Sequence, residues 1–187
     1  SLDLNAECAT AMTAEGFVHT NLLRDPEAGF QRYEEALRVN PNDSLAWLLS
    51  GALHAFRDEG EVAVVEVQRA LSLSPLDPMR YFYDSLAATA ALAANDYQSA
   101  RAYALRSLRT NSAHTSTLRA LIIAEALLGD TAAATRATDR LYRLEPNFSI
   151  ENFLARSPSN ISDFGRRCAA ALRVAGVRES TDSGDQS

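Results

Sequence analysis

Pro41-Asn42-Asp43-Ser44-Leu45-Ala46-Trp47-Leu48-Leu49-Ser50-Gly51-Ala52, read on through Ala63 and Ala70 to Pro75, is the stretch that decides the fold. Asp43 or Ser44 reads as an N-cap, and the residues after it put Leu45, Trp47, Leu48, Gly51, Ala52, Ala55 and Phe56 on a helix. Asp58-Glu59-Gly60 reads as a turn, followed by a second helix carrying Val64, Val67, Ala70, Leu71 and Leu73. Gly51 and Ala63 are small, as two helices packed closely side by side require. Overpacking by a bulky residue at either position is expected to cost about 1–3 kcal/mol. The unit is a helix-turn-helix, and its bounding prolines, Pro41 and Pro75, lie 34 residues apart.

Working outward, the same unit recurs. Residues 10–43 form a degenerate first copy, with Gly16-Phe17 at the close-approach site, Asp25 as N-cap before Pro26, and Tyr33, Ala36 and Pro41 on the second helix. Residues 44–77 are the best copy, 78–114 the third and 115–148 the fourth. Pro75 to Ser112 is 37 residues, and Ser112 to Pro146 is again 34. The three extra residues are expected to lengthen the third copy's first helix through Ala87–Ala94, with Asn95 as C′ residue and Asp96 as the next N-cap. Trp47 and Tyr81, 34 residues apart, are expected at corresponding places, and Leu37, Leu71, Leu108 and Tyr142 keep an apolar position late in the four second helices. Residues 1–9 read as an N-terminal extension, 149–179 as capping helices broken at Pro158, and 180–187 as a disordered tail.

A Trp, a small residue, two alanines and a closing Pro at these intervals resemble the tetratricopeptide (TPR) repeat. The resemblance implies an all-α, right-handed superhelical solenoid of about four repeats plus C-terminal capping helices. Two further stretches, Leu73-Ser74-Pro75-Leu76-Asp77-Pro78-Met79-Arg80-Tyr81-Phe82 and Pro146-Asn147-Phe148-Ser149-Ile150 with its continuation to Gly176, resemble the C-terminal TPR region of bacterial class III adenylate or guanylate cyclases and of winged-helix transcription regulators. That family's ending tends to read Ala-Gly-Leu-Pro-Glu, whereas Val177-Arg178-Glu179 follows Gly176 here. The resemblance implies that the chain is a fragment of a larger signalling protein whose catalytic or DNA-binding half lies elsewhere.

Composition narrows the function. The net charge is -6, which argues against direct nucleic-acid binding. Residues 1–95 carry 14 acids and 6 arginines, whereas 96–187 carry 10 acids and 12 arginines. That asymmetry could steer self-association or an acidic partner, or could simply be solvated helix faces. All 18 cations are arginine, which with so much alanine points to a GC-rich bacterial genome. Cys8 and Cys168 form no disulfide framework, consistent with a cytoplasmic setting. No stretch approaches the roughly 20 apolar residues that cross a bilayer, and Ser1-Leu2-Asp3-Leu4 does not open like a signal peptide.

Chemistry is not expected. His19, His54 and His114 share no metal-ligand spacing, the glycines form no phosphate loop, and the cysteines lie far apart, so no catalytic residue, metal or cofactor is anticipated. The resemblance instead implies a concave groove lined by the first helices of the repeats. Its positions map to Leu45, Leu48, Ala52 and Phe56 in the second repeat, Met79, Phe82, Leu86 and Thr89 in the third, and Ser116, Arg119, Ile123 and Ala126 in the fourth. Chaperone-binding relatives clamp a terminal carboxylate with polar residues at sites that here hold Leu48, Ala52, Met79 and Tyr83, which excludes that mode. Two readings of the apolar groove stay open: it accepts a partner's helix or extended peptide, or it is filled by the chain's own helices or a second protomer.

Overall fold

The computed structural model describes residues 2–159 and 162–181, so the tail expected to be disordered lies, beyond Thr181, outside the described residues. Among those described there are helices and no strands. They are α1 (Leu2–Asn21), α2 (Pro26–Val39), α3 (Ser44–Phe56), α4 (Gly60–Leu73), α5 (Arg80–Ala93), α6 (Tyr97–Thr110), α7 (Thr115–Leu127), α8 (Thr131–Leu144), α9 (Ile150–Arg156) and α10 (Asp163–Val174).

Each odd-numbered helix from α1 to α7 packs on the even-numbered helix after it, and α1, α3, α5 and α7 also pack on one another in sequence. The result is a two-layer stack with the odd helices inside. Local chemistry explains the repeated turn. One residue in each sits in the left-handed region: Arg24 (φ 56°), Asp58 (φ 65°), Asn95 (φ 61°) and Gly129 (φ 83°). In three of the four turns the next residue is an aspartate that caps the second helix. Asp25 accepts from Ala28 N–H at 3.0 Å, Asp96 from Ser99 N–H at 3.0 Å and Asp130 from Ala133 N–H at 2.9 Å. Such a cap is worth about 1 kcal/mol. Asp43 caps α3 in the same way, through Leu45 and Ala46.

Close approach is enforced where the sequence is small. Ala63, Ala100 and Ala134 are all fully buried at one equivalent place. A Cβ on Gly51 would meet Val67 Cγ2 at 2.8 Å and the Ala63 carbonyl oxygen at 3.1 Å. In the first repeat the close-approach residue is Gly16, whose Cβ would lie 2.5 Å from the Tyr33 ring, while Phe17 is 43% exposed. The reason is the α1–α2 turn, which spans residues 22–25 where the others span three residues, so α1 is displaced by one position along the repeat.

The 37-residue interval also resolves differently from the expectation. The α4–α5 loop covers residues 74–79, two more than the loops at 40–43 and 111–114, and α5 itself is one residue longer than α3. Two prolines hold that loop out of helix, and Asp77 folds it by accepting from Met79 N–H at 2.8 Å and Ser74 Oγ–H at 2.9 Å. Because most of the insertion precedes α5, Trp47 corresponds to Asp84 and not to Tyr81: the ends of α3 and α5, Phe56 and Ala93, are 37 residues apart. Asp84 is 1% exposed and is bound by Arg106 through Nε at 2.7 Å and Nη2 at 2.5 Å, and by Arg80 Nε at 3.2 Å.

The C-terminal helices cap the stack, but they do so by folding back over its inner layer instead of extending it. α10 packs on α7 and reaches α3. The Asp58 carboxylate accepts from the N–H groups of Asp163 (3.1 Å) and Phe164 (2.6 Å), and Ser162 Oγ accepts from Gly165 N–H at 3.1 Å. Three of the orphan donors at the start of α10 are thereby satisfied. Arg167 Nη2 donates to Ala93 O at 3.3 Å, and Arg24 Nη1 to Ala155 O at 3.3 Å. Phe164, Cys168, Ala171 and Leu172 belong to the same apolar core as the repeats.

Candidate functional site, a roofed concave chamber

Between the inner layer and the C-terminal arm lies a chamber of about 780 Å³. Its floor comes from α3, α5 and α7, one end from Phe17, Thr20 and Asn21 of α1, and its roof from Phe153, Phe164 and Cys168. Helical periodicity sets which residues reach it. On α3 the facing stripe is Leu49, Ala52, Leu53 and Phe56, and on α5 it is Phe82, Ser85, Leu86 and Thr89.

Of the residues expected in the groove, Ala52, Phe56, Phe82, Leu86, Thr89, Ser116, Arg119 and Ile123 line this chamber. Four do not. Leu48 is fully buried in the main core with Val67 and Tyr83, because it lies about 100° around α3 from Leu49. Leu45 (37% exposed) and Met79 (50% exposed) sit at the entrances of α3 and α5, outside the chamber, and Ala126 packs against the core near the end of α7. Of the consecutive aromatics Tyr81, Phe82 and Tyr83, Phe82 faces the chamber, while Tyr83 is buried with its hydroxyl 2.9 Å from Ser44 Oγ. Sequence reading missed the roof entirely, as well as Leu49 and Leu53.

The polar groups cluster at the α7 and α9 end. Arg119 Nη1 donates to both Glu145 carboxylate oxygens, at 3.3 and 3.0 Å, and Nη2 to Ser116 Oγ at 2.8 Å. Its guanidinium stands 5.5 Å over the Phe148 ring. Burial lowers the Arg119 pKa, Glu145 pulls it back up, and the neighbouring Arg156 lowers it again. His114, the N-cap of α7, places Nδ1 2.7 Å from Thr117 Oγ1 and stacks edge-on against Tyr81 at 5.2 Å between centroids. Burial and then Arg119 push its pKa down, so it is neutral at pH 7. Burial raises the Cys168 thiol to about 12, leaving it protonated and unreactive. Among the described residues no three His, Cys, Asp or Glu side chains gather as a metal site, and no helix is long and apolar enough to cross a membrane. The chamber offers an apolar floor beside a fixed cation, an arrangement suited to recognition.

Comparison with solved structures agrees on the architecture. MamA superposes with a TM-score of 0.60 at 15% identity over 90% of each chain. YrrB, described as a TPR protein with an unusual peptide-binding site, superposes with a TM-score of 0.59 at 15% identity over 93% of this chain and 88% of its own. The fold is therefore an all-α TPR solenoid, with the right-handed superhelix expected of that class. No family model matches the sequence, and no curated protein matches it.

Proposed function

We propose that this chain is a non-catalytic interaction module whose concave chamber recognises an apolar segment of a protein or peptide partner, within a larger cytoplasmic signalling protein of bacterial origin. The observation that carries this is the convergence of Ala52, Phe56, Phe82, Leu86 and Ile123 from three successive repeats on one face beside the immobilised Arg119. A peptide-binding site in YrrB, a protein of like fold, supports the same reading. The larger protein is either a nucleotide cyclase, with this chain as its regulatory C-terminal region, or a winged-helix regulator, with this chain as its effector region. Both rest on the Leu73–Phe82 and Pro146–Gly176 stretches. Paired metal-binding aspartates in the full-length gene would establish the first, and a winged helix the second.

Arg119→Ala and Phe82→Ala test the module itself. A partner is captured from the native organism, and its interacting peptide is titrated against each variant, with thermal melting alongside. Arg119→Ala is expected to lower affinity by about tenfold while the chain still melts cooperatively. Unchanged affinity in both variants rejects the chamber as the partner site. A light-scattering mass of twice the monomer, abolished by the same variants, would identify a second protomer as the occupant.

A further inference from the structure

Two observations bear on what the chamber holds. The first is its shape. The arm crosses it and is tied down at both ends, by Arg24 to Ala155 and by Asp58 to Asp163 and Phe164. A partner helix running the length of the inner layer would have to break those bonds and pull Phe164 and Leu172 out of the core. A small molecule would not, and about 780 Å³ lies within the roughly 300–1,000 Å³ of ordinary small-molecule pockets.

The second is its charge. Arg119 and Arg156 both line the α7–α9 end, and among the described residues Glu145 is the one acid lining the chamber. Glu145 is engaged by Arg119, while Arg156 is exposed and makes no ion pair with another described residue. One positive charge is thus left over at the α7–α9 end of a chamber whose apolar floor includes Leu53, Phe56, Phe82 and Leu86. A planar guanidinium with free donors matches a carboxylate in both charge and fork geometry.

We propose that the chamber binds a compact amphipathic carboxylate, with its head between Arg156 and Arg119 and its apolar body over the α3–α5 floor. This rests on the chamber being the recognition site, and puts a small molecule where the reading above puts a segment of a partner protein. The head displaces water from Arg156 without breaking the Arg119–Glu145 pair. The body replaces water over Phe82 and Leu86, so affinity rises with chain length until the chamber is filled.

The test is calorimetric titration of the full chain with decanoate, decanol and a short peptide ending in a free apolar residue. Decanoate is expected to bind with one-to-one, saturable stoichiometry, and decanol at least about tenfold more weakly. Arg156→Ala, at an exposed site that leaves the fold intact, is expected to weaken decanoate by about tenfold and leave decanol unchanged, with Arg156→Lys restoring part of the loss. Equal binding of decanoate and decanol, several-fold stoichiometry of the detergent type, or indifference to Arg156→Ala overturns the proposal. Binding of the peptide alone overturns it while leaving the interaction module standing. Binding of none of the three overturns the carboxylate proposal alone, and the chamber as a partner site is then decided by the Arg119→Ala and Phe82→Ala titrations against the captured partner.

Discussion

The second and third repeats fill one position in opposite ways. Trp47 on α3 is half-buried against the core, and its indole Nε1–H donates to Pro41 O at 2.9 Å. Its counterpart on α5 is Asp84, more deeply buried and held by Arg80 and Arg106. The aromatic residue ties its helix to the preceding loop. The carboxylate instead ties α5 to α6, and its hydrogen bonds raise the Arg106 pKa. Both solutions satisfy every polar atom they bury, but they fail differently. Trimming the aromatic ring leaves a gap that neighbours can partly close, whereas removing the carboxylate strands two cations. The architecture therefore specifies the packing distance at this position and not the residue type.

The contrast can be broken most directly at Asp84. Asp84→Ala is expected to cost about 3 kcal/mol in urea denaturation, at the lower end for a severed buried pair because both arginines reach solvent. The double variant Asp84→Leu with Arg106→Leu is expected to recover much of that loss. If Asp84→Ala costs no more than a substitution at Trp47, the two positions are not opposites. Gly51→Leu comes next, at about 1–3 kcal/mol, because even its Cβ would strike Val67 and the Ala63 carbonyl. A loss confined to the second repeat would show in hydrogen exchange as selective opening of α3 and α4. Trp47→Phe is smaller, about 1 kcal/mol, the worth of one hydrogen bond to Pro41 O.

The smallest effect sharpens the comparison one junction further on. His114 is half-buried against Tyr81 with its pKa lowered, so around and just below pH 6.5 the unfolded chain binds a proton that the folded chain does not. Its contribution to stability therefore falls as pH drops below the unfolded value of 6.5. His114→Asn removes the titrating ring and is expected to flatten that part of the curve when melting temperatures at pH 8 and pH 5.5 are compared with the parent. An unchanged difference would mean that other groups set the acid slope.

Local features were legible in the sequence and long-range ones were not. The small Ala63, the caps Asp25, Asp43 and Asp96 and the left-handed Asn95 follow from spacing and turn chemistry alone. A length of 37 residues announces an insertion but does not locate it, since a longer helix and a longer loop give the same count. The pair Pro75 and Pro78 was the available signal for the loop. In the groove, Phe56, Phe82, Leu86 and Ile123 were placed by the tetratricopeptide resemblance and line the chamber, while Leu48 and Leu49 are both apolar and only the packing of α5 decides which turns inward. The roof had no local signal. The bonds that lay α10 over the inner layer join residues 58 and 163, and nothing in either neighbourhood announces the other.

That last contact changes how the molecule should come apart. Stacked repeats that touch only their neighbours unzip from either end, like dominoes standing in a row. Here Asp58 and Arg24 bring the end of the chain back to its first half, so the row is bent into a loop and fraying from the C-terminus requires the second repeat to let go as well. Such sequence-distant pairing slows the search for the folded state while making its loss more nearly all-or-none.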